Sequence, residues 1–150
     1  MRFTCVPFLI LFSTGAWCAS NQLVIGTLAG EPDYSRGYCS LQLPHEFANR
    51  EGKYVFVSDF NGHAMINIGG EDMHLEFVKS KGPDVRQPGE LGQRSTYSYA
   101  AKGLVVDVDF VVTAACPTQA QCKTTKYDAI LTVKRGKAHK TVAAKAVCGT

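Results

Sequence analysis

From residue 23 onward, apolar and polar side chains alternate with a period of two in a series of short runs, and glycine separates many of them. Successive side chains of a β-strand point to opposite faces, so this period predicts strands with one buried face. The strands are expected at residues 23–28, 38–43, 53–60, 63–69, 73–79, 93–101, 104–113, 125–134 and 138–147. Short, regularly spaced strands predict an all-β fold, an antiparallel meander of about eight strands forming a small barrel or sandwich.

The dipeptide Lys102-Gly103 is interpreted as a two-residue hairpin turn, which determines how the strands on either side pair. Ala101 then faces Leu104, and every second residue from there lies on the same side. That side is expected to be core, and it carries Ser95, Tyr97, Tyr99, Val106, Val108 and Phe110. The opposite side should be exposed to solvent, because it pairs Ser98 with Asp107 and Thr96 with Asp109.

The stretch VSDFNGHAMI, residues 57–66, contains a second turn signal at Asn61-Gly62. Both central residues of a type I′ turn need positive φ, so Asn-Gly predicts a two-residue turn with Val57 opposite Ile66. A further turn at Gly70-Glu71 would place Ile66 opposite Leu75. In this register the outer face carries Phe56, Phe60, His63 and Met65. Either the segment at residues 23–28 covers that face, or the face is an apolar patch that binds a partner.

The N-terminus has the anatomy of a secretory signal peptide: Arg2, an apolar run at residues 6–12, and small residues after it. We place cleavage after Ala19, with cleavage after Ala16 or Cys18 as alternatives. The signal peptide is then residues 1–19. Lipid attachment at Cys18 is disfavoured because a bulky tryptophan directly precedes it. We expect a periplasmic or secreted protein with no transmembrane segment in the mature chain.

The mature chain, residues 20–150, is expected to form one domain and retains four cysteines: Cys39, Cys116, Cys122 and Cys148. An even number of cysteines in an exported chain predicts disulfides. Cys116 and Cys122 are separated by only five residues, so we pair them with each other and Cys39 with Cys148. The alternative, a zinc site, would require closer cysteine spacing, so no metal or other cofactor is predicted.

Sequence motifs of common enzymes are not found: there is no GxSxG, no P-loop and no HExxH. His74 and Glu76 project from one face of a strand, but His63 lies too far along to complete a metal site. Asp107 and Asp109 also share a face, where hydroxyl groups opposite would satisfy them as ordinary surface carboxylates. We therefore predict no catalytic residues and a protein that is not an enzyme.

Positive charge is concentrated near the C-terminus. Residues 123–145 contain seven Lys or Arg and one acidic residue, Asp128. Binding of anionic envelope polymers such as lipopolysaccharide is therefore an alternative function, and its candidate residues are Lys134, Arg135, Lys137 and Lys140. Nucleic acid is not an expected partner, because Tyr127 is the only aromatic residue available there for base stacking.

One long irregular segment, SKGPDVRQPGELG at residues 80–92, interrupts the strands. Loops of this length in compact domains are often functional. We therefore predict a surface for a protein partner that combines this loop, the strand after it and the outer face described above. Its candidate residues are Phe56, Phe60, His63, Met65, Asp84, Arg86, Arg94 and Thr96.

A signal peptide, Tyr38-Cys39 near the start of the mature domain, an antiparallel meander and Cys148 at its end give this chain a familiar layout. It resembles the small exported lysozyme inhibitors of Gram-negative bacteria, the membrane-bound and periplasmic family that acts on c-type lysozyme. It also resembles small exported proteobacterial proteins to which no activity is attached. The family's Ser-Gly-x-x-Tyr inhibitory motif has its nearest match at residues 94–99, RSTYSY, which lacks the glycine. No residue role is therefore carried over.

The resemblance implies a non-catalytic binding protein that inhibits lysozyme or another wall-degrading enzyme. An immunity protein that neutralises a periplasmic toxin would also be an exported, non-catalytic binding protein. A toxin gene adjacent to the gene of this protein would favour that alternative.

Overall fold

A computed structural model describes residues 23–30, 38–49, 52–59, 61–114 and 124–149. Within these ranges the chain is an eight-stranded antiparallel closed barrel with one extra short strand, which confirms the all-β prediction and selects the barrel over the sandwich. The elements are β1 (Ile25–Gly26), β2 (Tyr38–Gln42), α1 (Pro44–Ala48), β3 (Phe56–Asp59), β4 (His63–Ile68), β5 (Glu71–Lys81), β6 (Arg94–Ala101), β7 (Leu104–Ala114), β8 (Thr124–Arg135) and β9 (Ala138–Gly149). No helix in the described part of the chain has the length and apolar character of a membrane span.

The barrel is closed where β2 pairs with β9, the first wall strand with the last. Cys39 and Cys148 lie directly opposite each other in this seam and form a disulfide, with their Cα atoms 4.0 Å apart. The predicted bridge is confirmed. The other predicted bridge, between Cys116 and Cys122, lies outside the described residues, as does the signal peptide.

The pairing of β6 with β7 follows the sequence prediction residue by residue. Ala101 lies opposite Leu104 and Tyr99 opposite Val106. Lys102 and Gly103 both have positive φ, 46° and 75°, as a type I′ turn requires. The inward side chains of β7 and β8 are buried at every second position, so the long strands form the core wall that the alternation predicts.

The register of β3 differs from the prediction by one residue. Phe56, not Val57, lies opposite Ile66. Of the two described residues between β3 and β4, Asn61 and Gly62, only Gly62 has positive φ, at 97°. The carboxylate of Asp59 accepts hydrogen bonds from the backbone N–H groups of Asn61 and His63, both at 2.9 Å. A one-residue shift moves every side chain of a strand to the other face.

Phe56 is consequently a core residue. It is 0% exposed and its ring meets that of Tyr99 edge-on, with centroids 5.4 Å apart, so its assignment to a partner-binding surface was wrong. Val57 takes the outer side together with Met65, but Val57 is buried and Met65 half-buried. At these two positions the outer face is not an exposed apolar patch. Phe60 lies outside the described residues.

The turn between β4 and β5 also differs from the prediction. It is formed by Gly69-Gly70, both with positive φ, and it sets Ile66 opposite Met73 instead of Leu75. Two adjacent glycines satisfy a type I′ turn more easily than Gly-Glu does. Because the shift is two residues, the inward and outward faces of β5 remain as predicted for Met73 and Leu75.

The N-terminal segment adds β1 to the edge of β4, where Ile25 pairs with Ile68. It therefore extends the sheet beside β4, and beyond β1 the backbone N–H groups of Ala29 and Gly30 donate to the carboxylate of Asp72. The contact is close at Gly26, where a Cβ atom would lie 2.3 Å from the side-chain oxygen of Asn67. Only glycine fits there without displacing a buried amide.

Candidate functional site: the loop end of the barrel

The connections between consecutive strands alternate between the two ends of the barrel. One end, here the turn end, has tight turns at Gly69-Gly70, Lys102-Gly103 and Gly136-Lys137. The other, here the loop end, has the β3–β4 turn at residues 60–62 and the β5–β6 loop at residues 82–93. Residues that are distant in the sequence therefore meet at each end.

The β5–β6 loop is fastened to the barrel interior at Val85, which is 6% exposed and belongs to the core. The backbone N–H of Val85 donates to the hydroxyl of Tyr97, and the hydroxyl of Tyr127 donates to the carbonyl of Val85, both at 3.1 Å. The hydroxyl of Ser95 donates to the carbonyl of Pro83 at 2.6 Å. The loop is thus held by side chains that rise from inside the barrel.

These anchoring side chains are inward residues of β6 and β8. Sequence analysis placed Ser95 and Tyr97 correctly on the core face but did not assign them contacts with the loop. Burial raises the pKa of the Tyr97 hydroxyl and of the Tyr127 hydroxyl above their ordinary values. Both groups therefore stay protonated in the neutral range, and the Tyr127 hydroxyl retains the proton that it donates to the loop.

Beside Val85, the loop presents Asp84 and Arg86 as an ion pair. The Arg86 side chain donates through Nε to Oδ2 of Asp84 at 2.7 Å and also through Nη2, while its backbone N–H donates to Oδ1 at 2.9 Å. These hydrogen bonds from Arg86 hold the pKa of Asp84 below its usual value, against the opposing effect of burial. About half of the Arg86 side-chain surface, 49%, remains exposed. Arg86 is therefore oriented yet accessible.

A cavity of about 340 Å³ opens at the loop end. The β5–β6 loop contributes Gly82, Asp84, Val85 and Arg86 to its lining, and the end of β3 and the turn after it contribute Ser58, Asp59 and Gly62. Its aromatic lining is Phe77, Tyr97, Tyr99 and Phe110. The loop and the β3–β4 turn, which sequence analysis joined into one predicted surface, thus border one cavity.

Three apolar side chains of β5 and of the β5–β6 loop are exposed, and one of them, Phe77, lines the cavity. Phe77 is 43% exposed, and its neighbour Val78 is 57% exposed at an irregularity in the pairing of β5 with β6. Leu91, in the loop, is 72% exposed. Sequence analysis missed Phe77 because a regular strand would have directed it into the core, and no local signal marks the irregularity.

The remaining predicted partner-binding residues lie apart from the cavity. His63 is exposed and its Nδ1 lies 3.3 Å from a carboxylate oxygen of Glu76. Met65 is in the barrel wall opposite His74. Arg94 is exposed at the start of β6, and the hydroxyl of Thr96 donates to Asp109 at 2.6 Å on the outer wall. Of the predicted partner-binding residues that the structure describes, Asp84 and Arg86 are the ones that line the cavity.

The basic residues predicted for polymer binding are gathered at the turn end. Lys134 is paired with Asp107 at 2.8 Å. Burial alone would raise the pKa of Asp107, but hydrogen bonds from Lys134 and Ser98 lower it overall. Lys137 and Lys140 are exposed, and Arg135 donates to the sulfur of Met73 at 3.4 Å. The positively charged side chains thus extend from the outer wall of the barrel to the tip of the β8–β9 hairpin.

No cluster of three or more metal-ligating side chains occurs in the described ranges. Searches with the chain found no matching family model, no matching curated protein and no matching solved structure.

Proposed function

We propose that this protein is an exported, non-catalytic binding protein whose loop end binds and inhibits a wall-degrading hydrolase such as c-type lysozyme. The observation that carries the proposal is the fastening of the β5–β6 loop by two tyrosine hydroxyls at Val85. A loop already ordered before binding loses less conformational entropy in the complex. Inhibitors of enzymes commonly act through such preorganised loops.

The chemistry of the loop end also suits such a partner. Retaining and inverting glycosidases carry a pair of carboxylates at the scissile bond, and Arg86 offers an oriented guanidinium with 49% of its side-chain surface exposed. Phe77 adds exposed apolar surface to the cavity lining, and Val78 and Leu91 are exposed on β5 and in the β5–β6 loop. Aromatic and arginine side chains supply much of the binding energy at protein interfaces.

The proposal is tested by adding the mature domain, residues 20–150, to a panel of c-type lysozymes and other wall hydrolases and following wall lysis. We expect saturable inhibition of at least one enzyme, and about tenfold weaker inhibition by the Arg86→Ala variant. Lys137→Ala, which removes a cation at the opposite end, is the matched control and should inhibit normally. Absence of inhibition across the panel, or equal losses in both variants, would contradict the proposal.

A second function is favoured by the turn end, where Arg135, Lys137 and Lys140 have no carboxylate within ion-pair distance among the described residues. We propose that this cluster binds anionic envelope polymers. Binding of the domain to lipopolysaccharide should weaken steeply with salt and should be lost in the triple variant R135E/K137E/K140E. Lys126→Glu, a reversal at the far end of β8, should retain most of the binding. Binding that persists in high salt or in the triple variant would exclude this function.

A further inference from the structure

Among the charged groups that line the loop-end cavity, one carboxylate has no ion-pair partner within the described part of the chain. Asp84 and Arg86 neutralise each other through the hydrogen bonds described above. The third charged group is Asp59, at the end of β3. The lining therefore carries one net negative charge, and it is on Asp59.

One oxygen of the Asp59 carboxylate has a structural role. The backbone N–H groups of Asn61 and His63 each donate to Oδ1 of Asp59 at 2.9 Å. These two hydrogen bonds fix the orientation of the carboxylate through Oδ1, and neither of them uses Oδ2. A carboxylate oriented in advance binds a cation with a smaller loss of side-chain freedom.

Aromatic rings form another part of the same lining. The ring of Phe77 lies 6.1 Å from that of Tyr97 and 5.9 Å from that of Tyr99, centroid to centroid. The Asp59 charge lies close enough to Tyr99 to contribute to the raised pKa of its hydroxyl, about 12, although burial is the main cause. The negative faces of aromatic rings attract organic cations, especially where a carboxylate is near.

We infer that the loop-end cavity binds an alkylammonium or guanidinium group, held by Oδ2 of Asp59 and by the faces of Phe77 and Tyr97, and that a Lys or Arg side chain of the protein partner supplies it. A volume of about 340 Å³ accommodates one such side chain. This inference rests on the proposed function for the source of the group. In the complex, Arg86 would contact the partner's carboxylates while the cavity receives one of its cations.

The site itself can be tested without the partner, by following the resonances of Phe77 and Tyr97 during NMR titration of the mature domain. The probes are N-acetyl-lysine methylamide, N-acetyl-arginine methylamide and the neutral N-acetyl-norleucine methylamide. We expect saturable shifts with the two cationic probes and weaker ones with the neutral probe. Equal shifts with all three probes would overturn the inference, since charge would then not be recognised.

The variant Asp59→Asn removes the charge and retains a side-chain oxygen that can accept the two turn hydrogen bonds. It should bind the cationic probes about tenfold more weakly, as the loss of one charge-assisted bond predicts. Glu76→Gln is the matched control, because this carboxylate is exposed, lies beside His63 and is not part of the cavity lining. Undiminished binding by Asp59→Asn, or an equal loss in both variants, would overturn the inference.

Two further results separate this inference from the proposed function. If the domain binds the cationic probes through Asp59 but inhibits no hydrolase, the cation site stands and the partner is of another kind. If the domain inhibits a hydrolase and Asp59→Asn inhibits equally well, the inference about the partner's side chain is wrong while the proposed function stands. Binding of a free polyamine such as spermidine at least tenfold more tightly than the capped lysine would overturn the partner as the source of the cation.

Discussion

The two ends of this barrel are built on the same strands but are held by different means. At the turn end, backbone conformation suffices: glycines with positive φ reverse the chain at Gly69-Gly70, Lys102-Gly103 and Gly136-Lys137. At the loop end, a long loop is fastened by hydroxyl groups that belong to inward residues of β6 and β8. The order of the loop end therefore depends on the packing of the core, whereas each tight turn is determined locally.

The difference also extends to charge. The turn end presents cations on the β8–β9 hairpin, and the loop end presents the Asp84–Arg86 ion pair, exposed apolar side chains and a cavity that Asp59 also lines. Side-chain alternation specifies the walls of a closed barrel, whereas the connections at its two ends can differ in length and charge. The two ends thus differ in chemistry although they belong to the same strands.

The largest expected effect comes from removing the seam disulfide, which lies at the loop end. The double variant Cys39→Ala/Cys148→Ala should lower the free energy of unfolding by about 4 kcal/mol, because the bridge closes a loop of 109 residues. Denaturant unfolding measures the loss, and hydrogen exchange should show that β2 and β9 open near the seam before the β6–β7 turn does. If hydrogen exchange becomes faster to the same extent at the loop end and at the turn end, the stability of one end is not independent of the other.

The next effect concerns the fastening of the loop. Tyr127→Phe removes the hydroxyl that donates to the Val85 carbonyl and should reduce stability by about 1 kcal/mol, with faster hydrogen exchange in residues 82–93. Tyr99→Phe is the matched control, since its hydroxyl is also buried but shares its hydrogen bond with Ser58. If both variants leave the loop equally protected, the tyrosine contacts do not hold it.

The smallest effect is a pH dependence of the Asp84–Arg86 pair. The folded-state pKa of Asp84 is lowered, so the pair contributes stability above the ordinary carboxyl pKa and loses it as pH falls through the folded value. Both groups are substantially exposed, so the contribution should stay below about 1 kcal/mol. NMR titration of the Asp84 carboxyl should show its pKa rising in Arg86→Ala.

The corresponding pair at the turn end provides the comparison. Lys134→Ala should raise the pKa of Asp107, whose lowered value depends on hydrogen bonds from Lys134 and Ser98, and should leave the pKa of Asp84 unchanged. A shift at Asp84 in this variant would show electrostatic coupling between the two ends.

Much of the site could not have been found from the sequence, for identifiable reasons. Asp84 and Arg86 were predicted because they lie in the one long irregular segment, and the structure places both at the cavity. Phe77, Tyr97 and Tyr127 were not assigned to it, because their contribution depends on an irregularity in strand pairing and on contacts between residues that are 12 to 42 positions apart. Periodicity describes one strand at a time and contains no information on such contacts.

The sequence by itself determined the β-class of the fold, the core face of β6 and β7, and the disulfide between Cys39 and Cys148. The β-class follows from side-chain alternation, and the core face of β6 and β7 follows from the two-residue turn at Lys102-Gly103. The disulfide follows from pairing the two cysteines that remain once Cys116 is paired with Cys122. Only the tertiary structure decided the register of β3, in which Phe56 lies opposite Ile66 and its ring packs inside the barrel against Tyr99. It also decided that the loop end has a cavity, because Val85 is drawn inward by tyrosines from two other strands.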